Sequence, residues 1–317
     1  MKRILLTLAL TCAASAWAQH DHHAMNMAPS ATAHMDVQDD SAAQVLTVRV
    51  GPLNLPAHSG HMAVAQAPPF FLTIPFEGWI TAYHPRLVDG SGHPEPSRLL
   101  HHVAFYNTAR ADFLCPNKLE HIFGAGGEMN DWAAIPGVGY RVHQGDRIRI
   151  GTMFHNPTDA DYPQSWLEVK MEYQNAARGG LKSIYPAWFD VQQCGDSGYD
   201  LGPGRTLKMG EIKLDYTGLL LGVGGHMHDY GRQLELFDVT RGQTVAALRA
   251  QLDSTGKIQS MPVVRFGEGY KLNKGDVLRV SAIYDNPQGE IPDGAMGIVV
   301  GYFLPADDTQ MAGLKKQ

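Results

Sequence analysis

Two histidines two residues apart, His226 and His228, close an apolar run from Leu219 to Met227. Residues two apart leave an extended strand on the same face, so both imidazoles can reach one metal ion at about 2 Å. His101 and His102 are adjacent inside a second apolar segment, Leu99 to Tyr106. A regular strand sends neighbours to opposite faces, so this pair can share an ion only at a bulge or a strand end. His155 ends a third β-like stretch, Asp146 to Phe154. Imidazoles in otherwise hydrophobic strands must find partners. One such histidine alone is ordinarily a hydrogen-bonded core or loop residue. Five of the 15 histidines placed this way point to metal ligation. Imidazole by itself does not separate copper from zinc.

A second group lies near the N-terminus. His20, His22, His23, Met25, Met27, His34 and Met35 form a short tract of imidazoles and thioethers. Histidine-rich tracts bind metals, and thioethers select Cu(I), so the tract reads as an auxiliary copper tract. The plainer reading is a flexible leader without fixed function. His58, His61 and Met62 extend the same character toward the folded region, while His84, His93, His121 and His143 fall into no pattern.

The elements that must position these side chains are strands. Val45 to Val50 alternates and is rich in β-formers, and Phe70 to Tyr83, Leu99 to Tyr106, Asp146 to Phe154 and Ser165 to Tyr173 also read as strand-bearing. Glycine-rich stretches such as Asp89-Gly90-Ser91-Gly92 and Gly124-Ala125-Gly126-Gly127 read as turns between them. Strand-like segments resume from Arg205 to Phe303, and no long amphipathic helix is evident. Many short strands with Gly/Pro turns indicate sandwiches.

One internal repeat divides the chain. Gln144-Gly145-Asp146, a strand, and Phe154-His155-Asn156-Pro157 recur 130 residues later as Lys274-Gly275-Asp276, a strand, and Tyr284-Asp285-Asn286-Pro287. The expected organisation is an export signal at 1–18, a disordered His/Met-rich tail at 19–42 and a β-sandwich domain at 43–175. A linker at 176–199, a second β-sandwich domain at 200–306 and a C-terminal tail at 307–317 follow.

Export follows from Lys2 and Arg3, the short apolar run Ile4 to Leu10 and the small-x-small pattern Ala16-Trp17-Ala18, which together imply a periplasmic or secreted protein. No other segment is apolar for long enough to span a membrane. Cys12 leaves with the signal, and the remaining pair, Cys115 and Cys194, reads as one disulfide in an oxidising compartment, against two buried free thiols. Closing a loop of that length stabilises by about 3–4 kcal/mol on the chain-entropy model. The formal net charge of −6 and the lack of a basic run give no nucleic-acid partner.

The ordered set His101-His102, His155, His226-Met227-His228 and a late Met296 in Gly294-Ala295-Met296-Gly297 resembles the copper type II, ascorbate-dependent monooxygenases, among them the peptidylglycine and dopamine β-hydroxylating enzymes. The likeness covers about residues 45–305. It implies two tandem jelly-roll-like antiparallel β-sandwich domains facing each other across a cleft, with two copper ions per chain. By this resemblance His101, His102 and His155 hold a copper that relays an electron. His226, His228 and Met296 hold the catalytic, oxygen-activating copper, where one thioether favours Cu(I). At an offset of 130, Met296 falls opposite Trp166 and His155 opposite Asp285, so the third ligands come from different strands of a shared scaffold. The peptide-amidating members carry a substrate-binding arginine two residues before His-x-His. Here Gly224 stands there.

The implied function is hydroxylation of an aliphatic carbon of a small organic or peptide-like substrate, with an external reductant of unassigned identity. The alternative is a non-catalytic periplasmic protein that binds copper or delivers it to a donor or acceptor protein. A zinc-stabilised structural protein ranks below both, because Met296 is a poor zinc ligand.

Overall fold

The computed structural model describes residue 30 and residues 32–128 and 131–314. The export signal expected at 1–18 and the tract members His20, His22, His23, Met25 and Met27 lie outside the described residues. The first half carries β1 (His34–Asp40), β2 (Val45–Leu55), β3 (Phe70–Thr73), β4 (Gly78–Val88), β5 (Leu100–Ala111), β6 (Leu119–Gly126), β7 (Val138–Val142), β8 (Arg147–Phe154), β9 (Tyr162–Asn175) and β10 (Lys182–Ser183). The second half carries β11 (Tyr185–Asp190), β12 (Tyr199–Leu201), β13 (Gly204–Lys213), β14 (Gly218–Met227), β15 (Gly231–Asp238) and β16 (Gln243–Arg249). Next come β17 (Gln251–Leu252), β18 (Ile258–Ser260), β19 (Val264–Leu272), β20 (Val277–Asn286), β21 (Ile291–Ala295) and β22 (Gly297–Pro305).

These strands build an all-β, multi-sheet sandwich architecture. The first half pairs a sheet ordered β1-β2-β9-β4-β7-β10 with one ordered β3-β8-β5-β6. The second pairs β11-β22-β14-β19 with β13-β20-β15-β16. Period-2 burial drives the layering. In β20, Leu278, Val280, Ala282 and Tyr284 are at most 1% exposed, while Arg279, Ser281 and Ile283 between them are half-buried. Each fully buried Val or Leu contributes about 1.5–3 kcal/mol relative to exposure.

The repeat is a structural one. Gly145 N–H donates to the Ile74 carbonyl and Gly275 N–H to the Leu214 carbonyl, so each Gly-Asp turn latches onto the chain as it leaves the neighbouring strand, β3 or β13. Asn156 and Asn286 then lead out of β8 and β20. Each accepts the backbone N–H two residues on, from Thr158 and Gln288, and donates its amide to carbonyls on both sides of the turn. An Asn-Pro pair ending a strand suits this role because the asparagine side chain substitutes for lost ladder partners.

Two buried clusters result, and each borrows from the other half. Phe113, Leu114 and Cys115 pack in the second cluster, and Tyr302 packs in the first. Cys115 and Cys194 are disulfide-bonded across 79 residues, stapling a first-half loop to the second half. Arg265 donates to the Ala133 carbonyl at 2.7 Å, and Trp132 meets Tyr302 edge-on with ring centres 5.0 Å apart.

Four expectations need correction. The tail expected to be disordered over 19–42 contains β1, which pairs with β2 from His34 opposite Gly51 to Asp40 opposite Val45. Of the expected auxiliary tract, His34 packs edge-on against Trp166 and Met35 rests against the first core. The linker at 176–199 contains β11, which pairs with β22 along its whole length. The tail at 307–317 contains a 3-10 helix, Asp308–Leu314, that buries Met311 and Leu314. Gly124 to Gly126 belong to β6 rather than to a turn, and a Cβ at Gly124 would meet the Trp188 ring at 2.5 Å. Glycine is needed there for close approach between the halves, not for chain reversal.

Candidate metal centre

The adjacent histidines sit at a bulge. Across β5 and β8, Leu100 pairs with Phe154 but His102 pairs with Met153, so the register slips at His101. The slip turns both imidazoles the same way, and their Nδ1 atoms lie 3.0 Å apart. His155 follows the end of β8, and its N–H donates to the Leu99 carbonyl at 3.1 Å, which fixes it beside the start of β5.

His101 is the hub. Its ring centre lies 5.1 Å from that of His102, 5.2 Å from that of His155 and 4.7 Å from that of His228 in the other half. His226 and His228 are 5.5 Å apart, and every one of these pairs is steeply inclined rather than stacked. Two imidazoles holding one ion at about 2 Å in near-tetrahedral geometry have ring centres about 5 Å apart. The two groups placed on separate halves by sequence thus meet as one continuous set of imidazoles.

The second-half pair is anchored from both sides. β14 runs beside β22 with His226 opposite Ile298 and Met227 opposite Gly297, so the next step sets His228 beside Met296. Tyr284, fully buried on β20, clamps that corner. Its hydroxyl accepts from the His228 and Met296 N–H groups, each at 3.0 Å, and donates to the Met296 carbonyl. Met227, between the two histidines, points away and is 2% exposed in the second core.

Glu128 reaches His226 from the first half. Its Oε1 lies 2.8 Å from His226 Nδ1 and accepts the Gly126 N–H at 3.0 Å. A Cβ at Gly126 would meet His226 Cε1 at 2.6 Å, so only glycine admits the ring. With Nδ1 engaged by a carboxylate, Nε2 is left as the free donor, the usual arrangement behind a metal-bound imidazole. The Nε2 atoms of His226 and His228 are both buried without a hydrogen-bond partner. Orphaned buried nitrogens of this kind call for an explanation, and a metal ion supplies one.

Electrostatics keeps most of these imidazoles neutral. Burial, reinforced by neighbouring imidazoles, holds His101 and His228 well below the ordinary histidine range. Burial brings His155 down to about 4. His226 goes the other way, because the charge and hydrogen bond of Glu128 outweigh its burial. Neutral imidazole is the form that binds metal.

Among the described residues, no group of three or more His, Cys, Asp or Glu side chains is placed so that it could hold a metal ion. Two imidazoles and a thioether would not form such a group, so this absence bears on the first-half histidines: His101 and His102 bring their Nδ1 atoms together, but His155 does not complete a three-histidine site with them. Glu128 and Tyr284 were missed in the sequence because their partners lie 98 and 56 residues away. A lone carboxylate after a glycine run and a tyrosine in a strand carry no local signal.

Known proteins add a coarse class. No protein-family profile matches the chain. The chain is 24% identical over 229 residues to "Probable copper-dependent oxygenase M1" of Phoma sp. (strain ATCC 20986 / MF5453), covering 65% of this chain and 57% of that protein. It is 23% identical over 229 residues to "Probable copper-dependent oxygenase clz3" of Cochliobolus lunatus, covering 65% of this chain and 72% of that one. The chain thus has distant relatives named as copper-dependent oxygenases, and it spans little more than half of the first. Among solved structures, the major capsid protein P2 of bacteriophage PM2 aligns with a TM-score of 0.34 and 12% identity, over 82% of this chain and 98% of that one. A chain of Sulfolobus Turreted Icosahedral Virus aligns with a TM-score of 0.39 and 9% identity, over 89% and 96%. Likeness at that level carries nothing about function.

Proposed function

We propose that the protein is a copper-dependent monooxygenase that hydroxylates an aliphatic carbon of a small organic or peptide-like substrate with dioxygen. It would work outside the cytoplasm with two copper ions and an external reductant. The observation that carries the reading is the continuous set of imidazoles, with His226 Nε2 and His228 Nε2 buried and unpartnered beside the Met296 corner. His101, His102 and His155 are the proposed ligands of one ion, and His226, His228 and Met296 those of the other. The naming of the fungal relatives agrees with this class. Each half also repeats one strand order: counting eight strands per half, first-eighth-third-sixth faces second-seventh-fourth-fifth. That order supports reading the halves as two tandem jelly rolls.

Bound copper supplies the one-electron chemistry with dioxygen that amino-acid side chains lack. The chain's own residues prepare the place for it. Glu128 holds the proton on His226 Nδ1, so the Nε2 lone pair stays available. Tyr284 ties the Met296 backbone to that of His228, and a thioether reaching the ion from that position would favour Cu(I). Trp132 decides what sits two residues before His226. A Cβ at Gly224 would meet the Trp132 ring at 2.9 Å, so the place of a substrate-anchoring arginine is filled by indole.

The test is oxygen transfer. The protein, loaded with two copper equivalents and reduced, is given labelled dioxygen and a panel of aliphatic substrates. Product carrying one labelled oxygen supports the reading. Copper bound tightly, with no oxygen consumption above that of free copper on any substrate, favours the non-catalytic copper-binding or copper-delivery protein instead.

A further inference from the structure

We propose that β13 is a dimerisation edge, where a second copy of this chain adds its own β13 antiparallel. The strand, Gly204–Lys213, closes one side of the sheet β13-β20-β15-β16 and, among the described residues, pairs with β20 alone. That pairing runs through all ten residues without a register shift. Among the described residues, the outward row of N–H and C=O groups along β13 has no backbone partner. Such a row is a template for one more strand. No residue of this edge belongs to the imidazole set.

The other sheet edges are blunted against such pairing. β1 carries Asp36, Asp39 and Asp40, β3 and β10 are four and two residues long, and β16 and β19 pair with their neighbours across register shifts. β6 and β11 meet each other between the halves, where Trp188 donates to the His121 carbonyl. β13 instead exposes two large apolar side chains, Leu207 at 58% and Met209 at 52%. They lie on the outer face, opposite Ile283 and Ser281, because the alternate positions, opposite Ala282 and Val280, face the second core.

The outer face of β13 is complementary to itself. A two-fold axis perpendicular to the sheet keeps the outer faces of both copies on one side. With that axis at Lys208, Leu207 of one copy stands opposite Met209 of the other, and Arg205 opposite Glu211, each pair occurring twice. Moving the axis to Met209 sets Arg205 against Lys213 and Leu207 against Glu211, so side-chain pairing selects one register. Arg205 has no ion-pair partner among the described residues, while Arg279 holds Glu211 in place at 2.7 Å. Lys208 meets its own copy on the inner face. Its Nζ lies 5.4 Å from the centre of the Tyr199 ring, a cation–π contact that keeps the charge on its own chain. The dimer would carry one continuous sheet, with β16-β15-β20-β13 contributed by each copy.

Sedimentation equilibrium over a concentration series tests this. The unaltered chain should show a monomer–dimer equilibrium. Arg205→Glu creates two like-charge pairs across the axis and should weaken the dimer about tenfold, and Met209→Lys should weaken it similarly. Arg205→Glu/Glu211→Arg should restore most of the loss, and Val37→Lys, on the edge strand β1, should change nothing. Pulsed dipolar spectroscopy then reads the register. Nitroxides on Lys208→Cys should come closest, whereas those on Lys213→Cys, ten residues out of step with their own copies, should lie about 34 Å apart along the strands. Melting temperatures show that each variant is folded. A monomer at every concentration, or a dimer that both Arg205→Glu and Met209→Lys leave unchanged, overturns the proposal.

Discussion

Glu128→Gln is the sharpest perturbation of the centre. The exchange is nearly isosteric and removes one buried charge. In the native chain this carboxylate lies 2.8 Å from His226 Nδ1 and also accepts the Gly126 N–H. Its charge and hydrogen bond raise His226 against the effect of burial. The amide keeps the volume and one acceptor oxygen, but it is a weaker acceptor and brings a donor that finds no assigned partner. Loss of such an outer partner of a metal-bound imidazole typically costs 10- to 100-fold in metal affinity. That is about 1–3 kcal/mol at one of the two coppers. Anaerobic competition with a chromophoric Cu(I) chelator reads the two equivalents separately: one should weaken by that factor and the other should hold within about twofold. The melting temperature of the metal-free variant separates misfolding from ligand loss. If both equivalents bind as in the native chain, Glu128 does not orient a ligand and the role given to His226 is wrong.

Further outcomes follow from the same geometry. Met296→Ala should weaken Cu(I) at one site and spare the other, and unchanged Cu(I) affinity would remove Met296 from the ligand set. Tyr284→Phe removes a hydroxyl that accepts from two backbone N–H groups and donates to a carbonyl. It should lower stability by about 1–3 kcal/mol and weaken the same Cu(I) site; chemical denaturation and chelator competition check the two effects. Proton release on copper binding at pH 6 should differ between the groups. An ordinary histidine near 6.5 would give up about three quarters of a proton at that pH. His155, at about 4, and His101, also lowered, are already neutral there and should give up almost none. His226, raised by Glu128, should release its proton, and Glu128→Gln should reduce that release. Calorimetry in buffers of different ionisation enthalpy measures this.

Much of the scaffold was legible from sequence because its causes are local. Alternation marked strands such as β2 and β20. The Gly-Asp and Asn-Pro ends of β8 and β20 marked equivalent places in the two halves, since their turn and capping bonds are made within a few residues. The requirement that His101 and His102 share a metal only at a bulge was also a local geometric statement, and the register slip in β5 meets it. What stayed hidden depends on distant partners. Gly124 and Gly126 look like a turn until Trp188 and His226 are seen to occupy their Cβ space. β1 is an edge strand with little apolar alternation and is held by pairing with β2, whereas β11 sends Tyr185, Ala187 and Phe189 into the second core from within a stretch that reads as a junction. His61 stood apart from the strand-borne histidines in sequence, and its place beside His101 depends on distant bonds, from Gln66 to the end of β8 and from Asn156 to Ser59. The expectation of two copper groups on opposite sides of a cleft could not anticipate contact between His101 and His228, because that contact depends on how the halves dock.

The most direct measurement is metal analysis with X-ray absorption on the protein loaded with Cu(I) and freed of excess. The account predicts two coppers per chain, a first shell dominated by imidazole nitrogen, and one sulfur scatterer shared over the two ions that disappears in Met296→Ala. Retention of no copper after dialysis, or a shell without imidazole scattering, would contradict it.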